Sequence, residues 1–83
     1  MDIQIYTLRG CGSCTKIKEL LARIGVQYTE NRVGVDISKD DFLAKYPDIS
    51  GYPQMVVDGV LVGGLMDSVK FFVENKMVSS KKS

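Results

Sequence analysis

Two cysteines three positions apart open directly onto a helical pattern in RGCGSCTKIKELL, residues 9 to 21, and no other stretch constrains the fold as tightly. Ile17, Leu20, Leu21 and Ile24 fall at i, i+3, i+4 and i+7, so one face of a helix from about Cys11 to Ile24 is apolar. Gly25 ends that helix where a left-handed residue is wanted. Ahead of the turn residues Arg9 and Gly10, DIQIYT (residues 2 to 7) is rich in β-formers and sets Ile3, Ile5 and Thr7 on one side of a strand. The chain therefore turns from strand to helix at the cysteines themselves.

The rest punctuates in the same way. VQYTE, residues 26 to 30, reads as a second strand, followed by a polar connection through Asn31, Gly34 and Asp36. Ser38 and Asp41 form a capping box with Asp in place of Glu. Phe42, Leu43 and Tyr46 then give a short helix that Pro47 stops. QMVVDGVLVGG is two strands around Asp58-Gly59, a strong two-residue hairpin signal. A last helix is capped by Asp67 or Ser68 and carries Val69, Phe72 and Val73 inward, and the polar end VSSKKS frays. The order is β-α-β-α-β-β-α: an α/β chain with a four-stranded mixed sheet, one parallel pair and one hairpin, covered by helices.

At 83 residues the chain is one domain, assigned to residues 1–78 with a tail at 79–83. A chain of this length buries only roughly 60% of its unfolded surface, so the core has to be compact and regular. Its 45% hydrophobic content is that of a globular domain, and 11 basic against 10 acidic side chains leave a net charge of +1, which offers nucleic acid no concentrated positive field. No apolar run has the length of a membrane span, and the N-terminus reads as a strand and not as a signal segment. The expectation is a cytoplasmic monomer with neither nucleic acid nor membrane as partner.

The cysteines admit three uses. As a structural bridge they would close a loop too small to restrain the unfolded chain much. As a metal site they supply half of what zinc takes, since there is no His and no third Cys. As reagents they are well placed. A Cys at the first turn of a helix lies beside unpaired N–H groups and the positive end of the dipole, which favours the thiolate that attacks disulfides. Cys11 holds that place, and Arg9, Lys16 and Lys18 add cations nearby. Cys14, one turn later, is the natural resolving thiol for the mixed disulfide that Cys11 forms. A strand, Cys-x-x-Cys and a helix in succession is also the setting of a thioredoxin-like redox motif.

Over nearly its whole length the chain resembles the glutaredoxins, on YTLRGCGSCTKIKELL at the first strand–helix junction, GYPQMVVDG at the third strand and VGG before the last helix. The resemblance implies a thioredoxin-like fold and a glutathione-dependent disulfide oxidoreductase with Cys11 and Cys14 as catalytic residues. It makes glutathione the co-substrate, and disulfide proteins such as ribonucleotide reductase the partners. It places glutathione against Arg9, Tyr52, Pro53, Gly63, Gly64 and Asp67: a cis-proline facing the cysteines, a backbone at Tyr52 that pairs with an extended peptide, and two glycines beside the γ-glutamyl end. The anionic end of glutathione would lie at the start of the last helix.

Four departures stand out. Tyr52 replaces the family's usual Val. Leu8 stands where a lysine is common, Met66 takes one place of an acidic pair, and the Gly12-Ser13 spacer lacks proline. Some relatives without that proline hold a [2Fe-2S] cluster between two subunits, in which case Cys11 would be the protein ligand; otherwise no metal is expected. A small thioredoxin-like carrier reduced by a flavoprotein reductase is the alternative, and would not need Gly63-Gly64 as a glutathione seat.

Overall fold

The computed structural model describes residues 1–49 and 51–75, so the proposed boundary at residue 78 and the tail lie outside the described residues. The elements follow in the order β1 (Ile3–Thr7), α1 (Gly12–Ile24), β2 (Thr29–Arg32), α2 (Lys39–Lys45), β3 (Gln54–Val57), β4 (Val60–Gly63) and α3 (Leu65–Glu74). They build one sheet in the spatial order β2-β1-β3-β4, with β1 parallel to β2 and antiparallel to β3, and β3 antiparallel to β4. This is the four-stranded mixed sheet of a thioredoxin-like fold.

Both faces of the central strands are covered, which sets the two cores. Ile3 and Ile5 of β1 and Met55 and Val57 of β3 pack with Ile17 and Leu21 of α1 and Phe72 of α3. On the opposite face Tyr6 and Val56 meet Val33 and Phe42 of α2, the Tyr6 and Phe42 rings stacked with centroids 4.7 Å apart. Thus α1 and α3 share one side and α2 takes the other. Tyr6 is as buried as its neighbours, so β1 is apolar on both faces although an alternation that keeps only Ile3, Ile5 and Thr7 inside describes one of them.

Local signals set most element ends. Gly25 closes α1 at φ 85 and returns its amide to the Leu21 carbonyl. Ser38 Oγ accepts the Asp41 amide at 3.0 Å, which makes Ser38 the N-cap of α2. Asp58 (φ 51) and Gly59 (φ 82) make the β3–β4 turn.

Two elements differ from the sequence expectation. β2 starts at Thr29 instead of Val26, because the chain leaving the Gly25 cap first lays Val26 and Tyr28 against the α1–α3 core and only then comes level with Gln4 to pair with β1. α3 starts at Leu65, capped by Gly64 and not by Asp67 or Ser68. Gly63, at φ 130, lets the chain reverse as soon as β4 ends, which brings the helix forward by most of a turn. The inward face rotates accordingly. Ser68 is fully buried and donates to the Gly64 carbonyl at 2.7 Å, Phe72 fills the core, Val69 is half-buried, and Val73 points to solvent.

Candidate active site

Thr7 ends β1, and Leu8 to Gly10 turn the chain with Gly10 at φ 79 and the Cys11 amide returned to the Leu8 carbonyl at 3.3 Å. Cys11 is then the N-cap of α1, in extended backbone, and its sulfur does the work an Asp or Ser oxygen usually does by accepting the Cys14 amide at 3.2 Å. The sulfur is thereby held at the start of the helix, next to the N–H groups of the first turn. Its own hydrogen points at the Tyr52 carbonyl, 3.6 Å away. Cys11 is half-buried and reachable; Cys14, one turn on, is 3% exposed.

The two thiols differ in chemistry for the same reason. Burial, assisted by the hydrogen bond with Cys11, pushes the Cys14 thiol up to about 11, an effect opposed by the Leu8 backbone and by the Lys18 charge. Cys14 therefore waits as a neutral thiol, shielded from disulfides in solution, while Cys11 faces outward. Both are free in this structure, the reduced state of the pair.

The Tyr52–Pro53 peptide bond is cis and Pro53 is fully buried. Tyr52 combines the two readings its sequence context allows. Its ring packs on Phe42, centroids 5.7 Å apart, and covers the α2-side core, while its carbonyl faces Cys11. A large side chain here therefore leaves the backbone open to a partner.

On this side of Cys11 a groove of about 340 Å³ is lined by Ser13, Tyr52, Pro53, Gly64, Met66 and Asp67, among others. Gly64 forms part of its wall, since a Cβ there would stand 3.4 Å from the Pro53 carbonyl. Gly63 does not line the groove. Its φ of 130 and its closeness to Asp67, whose carboxylate a Cβ at 63 would overlap, give it a structural role in starting α3. Of the residues expected to hold glutathione, the fold thus brings together Tyr52, Pro53, Gly64 and Asp67.

Arg9 is placed elsewhere. With Leu8 it lines a second, larger groove of about 570 Å³ on the β2 side of Cys11, whose lining includes Cys11 and Cys14. That groove also contains a polar cluster that sequence reasoning passed over. Glu30 Oε2 accepts from Thr7 Oγ1 at 2.7 Å and from Lys18 Nζ at 3.3 Å, with Arg32 Nε at 3.8 Å. The Thr7 hydroxyl, and then Lys18 and Arg32, hold the Glu30 carboxyl below the usual carboxylate range, with burial acting in opposition. The available signal was Lys18 four residues after Cys14 and so on the same face of α1. Its partner on β2 is visible only once β2 is parallel to β1.

A [2Fe-2S] core takes four ligands, commonly thiolates. Among the described residues no group of three or more His, Cys, Asp or Glu side chains converges, and Cys14 is buried with its amide on Cys11. The donor set of one chain does not make a cluster site.

A family model described as glutaredoxin matches residues 3–62. Glutaredoxin 1 of Rickettsia prowazekii is 35% identical over 77 residues, which span 90% of this chain and 81% of that protein. Among solved structures, reduced Escherichia coli glutaredoxin superposes with a TM-score of 0.79 at 26% identity, covering 94% of this chain and 100% of the other. Glutaredoxin from Brucella melitensis does so at 0.72 and 29% identity, covering 93% and 84%. Matched along most of its length, and with an accessible thiol and a buried partner held together at the start of α1, the chain belongs to the glutaredoxin family of thiol–disulfide oxidoreductases.

Proposed function

We propose that the protein reduces protein disulfides and glutathione mixed disulfides with glutathione as the electron donor. The observation that carries this reading is the position of Cys11 Sγ, 3.6 Å from the Tyr52 carbonyl at the edge of a groove that ends at the first turn of α3. α3 has no side-chain cap, so the amides of its first turn are free to receive a carboxylate, and Asp67 stands beside them for an ammonium group. An extended peptide such as glutathione offers both groups, and its backbone can pair at Tyr52.

The chemistry proceeds in balanced exchanges. The Cys11 thiolate attacks one sulfur of a substrate disulfide; that S–S bond breaks, and the departing thiolate takes a proton from water. Cys14 gives its proton to solvent and attacks the Cys11 sulfur, which releases the second substrate thiol and leaves a Cys11–Cys14 disulfide. The substrate has gained two electrons and the protein has lost them. One glutathione thiolate then attacks Cys11, the exposed sulfur, and Cys14 recovers its proton. A second glutathione attacks the first and leaves as glutathione disulfide, with Cys11 restored. A glutathione mixed disulfide enters at this last stage and needs Cys11 alone.

A monomer in a reducing compartment such as the cytoplasm suits this cycle, and ribonucleotide reductase is a candidate disulfide substrate. The testing experiment compares turnover of a small glutathione mixed disulfide by glutathione with turnover of a protein disulfide by a thioredoxin reductase. Glutathione-driven turnover is expected. Indifference to glutathione together with ready reduction by the flavoprotein would replace this reading with that of a thioredoxin-like carrier.

A further inference from the structure

Two grooves flank Cys11, and the proposed glutathione site occupies only the smaller. The β2-side groove is the larger and is the one that Cys11 and the residues around Cys14 line; neither cysteine lines the other. Whatever occupies it lies beside Cys11, the accessible thiol, so its natural occupant carries a disulfide.

The groove also has a charge. Arg9, Lys18 and Arg32 line it against the single carboxylate of Glu30, which is already occupied by the Thr7 hydroxyl and Lys18. Asp36, which does not line the groove, accepts the Arg32 amide on its carboxylate at 2.9 Å. In a chain with a net charge of only +1, this local excess of positive charge reflects placement, since other acidic side chains lie elsewhere: Asp40 and Asp41 start α2, and Asp67 stands in the other groove. Apolar contact is present too. Leu8 is 42% exposed and Val35 76% exposed, and both line the same groove.

We propose that this groove docks an acidic, partly apolar segment adjoining the disulfide of a protein substrate, while glutathione approaches Cys11 from the Gly64–Asp67 side. The inference rests on the thiol–disulfide cycle above and assigns its two substrates to opposite sides of one sulfur. Leu8 and Arg9 then serve the protein substrate. A lysine at position 8 is unnecessary for that purpose, because Arg9 and Arg32 supply the positive charge.

The test uses three short synthetic peptides, each with one internal disulfide, identical except for flanking residues that are all Asp, all Ser or all Lys. At low ionic strength, with glutathione as reductant, the Asp peptide should be reduced about tenfold more efficiently than the Lys peptide, as expected for two exposed charge contacts, and salt should shrink the gap. Arg32→Glu, which takes the groove from two net positive charges to none, should erase the preference, so that the Lys peptide gains rate while the KM for glutathione with a small mixed disulfide stays unchanged. A gain of rate cannot come from a damaged fold. Equal reduction of all three peptides by the unaltered protein, or a uniform loss in Arg32→Glu, would overturn the docking assignment and leave the enzymatic reading intact. Failure to reduce any peptide or any mixed disulfide would overturn both.

Discussion

Replacing Gly63 with alanine should cost far more stability than the same change at Gly64, although the two are neighbours and look equivalent in sequence. At φ 130 the backbone of Gly63 is in a region an L-residue enters only at a cost of roughly 1–2 kcal/mol. The added Cβ would also overlap the Asp67 carboxylate and stand 2.8 Å from Asp67 Cβ, which no side-chain rotation can move because α3 fixes it. Overpacking of this kind costs about 1–3 kcal/mol. The sum, about 3 kcal/mol, is a large share of the 5–15 kcal/mol typical of a small domain, and it should lower Tm by roughly 12–24 °C. At Gly64 φ is −82 and the new Cβ would meet only the Pro53 carbonyl at 3.4 Å, an ordinary contact, so Gly64→Ala should stay within about 0.5 kcal/mol of the unaltered protein. Urea unfolding of both variants, followed by circular dichroism, provides the comparison. Placing Gly63→Ala in an Asp67→Gly background removes the steric part and should recover about half of the loss. A Gly63→Ala protein as stable as the original, or a Gly64→Ala protein that is the worse of the two, would refute the assignment of Gly63 to the fold and Gly64 to the groove.

Three further outcomes are expected. Cys11→Ser should abolish all thiol–disulfide exchange, whereas Cys14→Ser should lose protein-disulfide reduction and retain deglutathionylation; mass mapping after brief alkylation at mildly acidic pH should find the label on Cys11, and label on Cys14 first would reverse the roles. Glu30→Gln should cost on the order of 1 kcal/mol near neutral pH. Because the folded carboxyl titrates below its usual value of 4.5, that contribution is complete above the unfolded value and is lost as pH falls through the folded one, so the stability curves of the two proteins should converge in acid. Met66→Asp, on the rim of the Gly64–Asp67 groove, should lower the KM for glutathione by roughly threefold to tenfold, while Leu8→Lys, on the opposite side of Cys11, should not; steady-state kinetics with a small mixed disulfide separates them.

Interactions that span a turn or two of chain were legible in the sequence. The 3.6-residue period behind Cys14, the Gly25 stop, the Ser38 cap and the Asp58-Gly59 hairpin all reappear where the residues indicated, since each is satisfied by groups close along the backbone. From them came the order of elements, and from Cys11 at a helix start with Cys14 one turn on came the chemistry. Distances that cross the sheet were decided only by tertiary structure. β2 begins at Thr29 because Val26 and Tyr28 are first drawn into a core built by α1 and α3, and α3 begins at Leu65 because Gly63 can reverse the chain where a residue with a Cβ would meet Asp67. The side of Cys11 on which Arg9 falls, the gathering of Thr7, Lys18 and Glu30 from three elements, and the division of Tyr52 between a core ring and an outward carbonyl follow from how β2 pairs with β1 and how α2 packs on the opposite face. Sequence patterns specify which faces are buried. They do not specify which buried faces meet, and the sidedness of the site is set by that meeting.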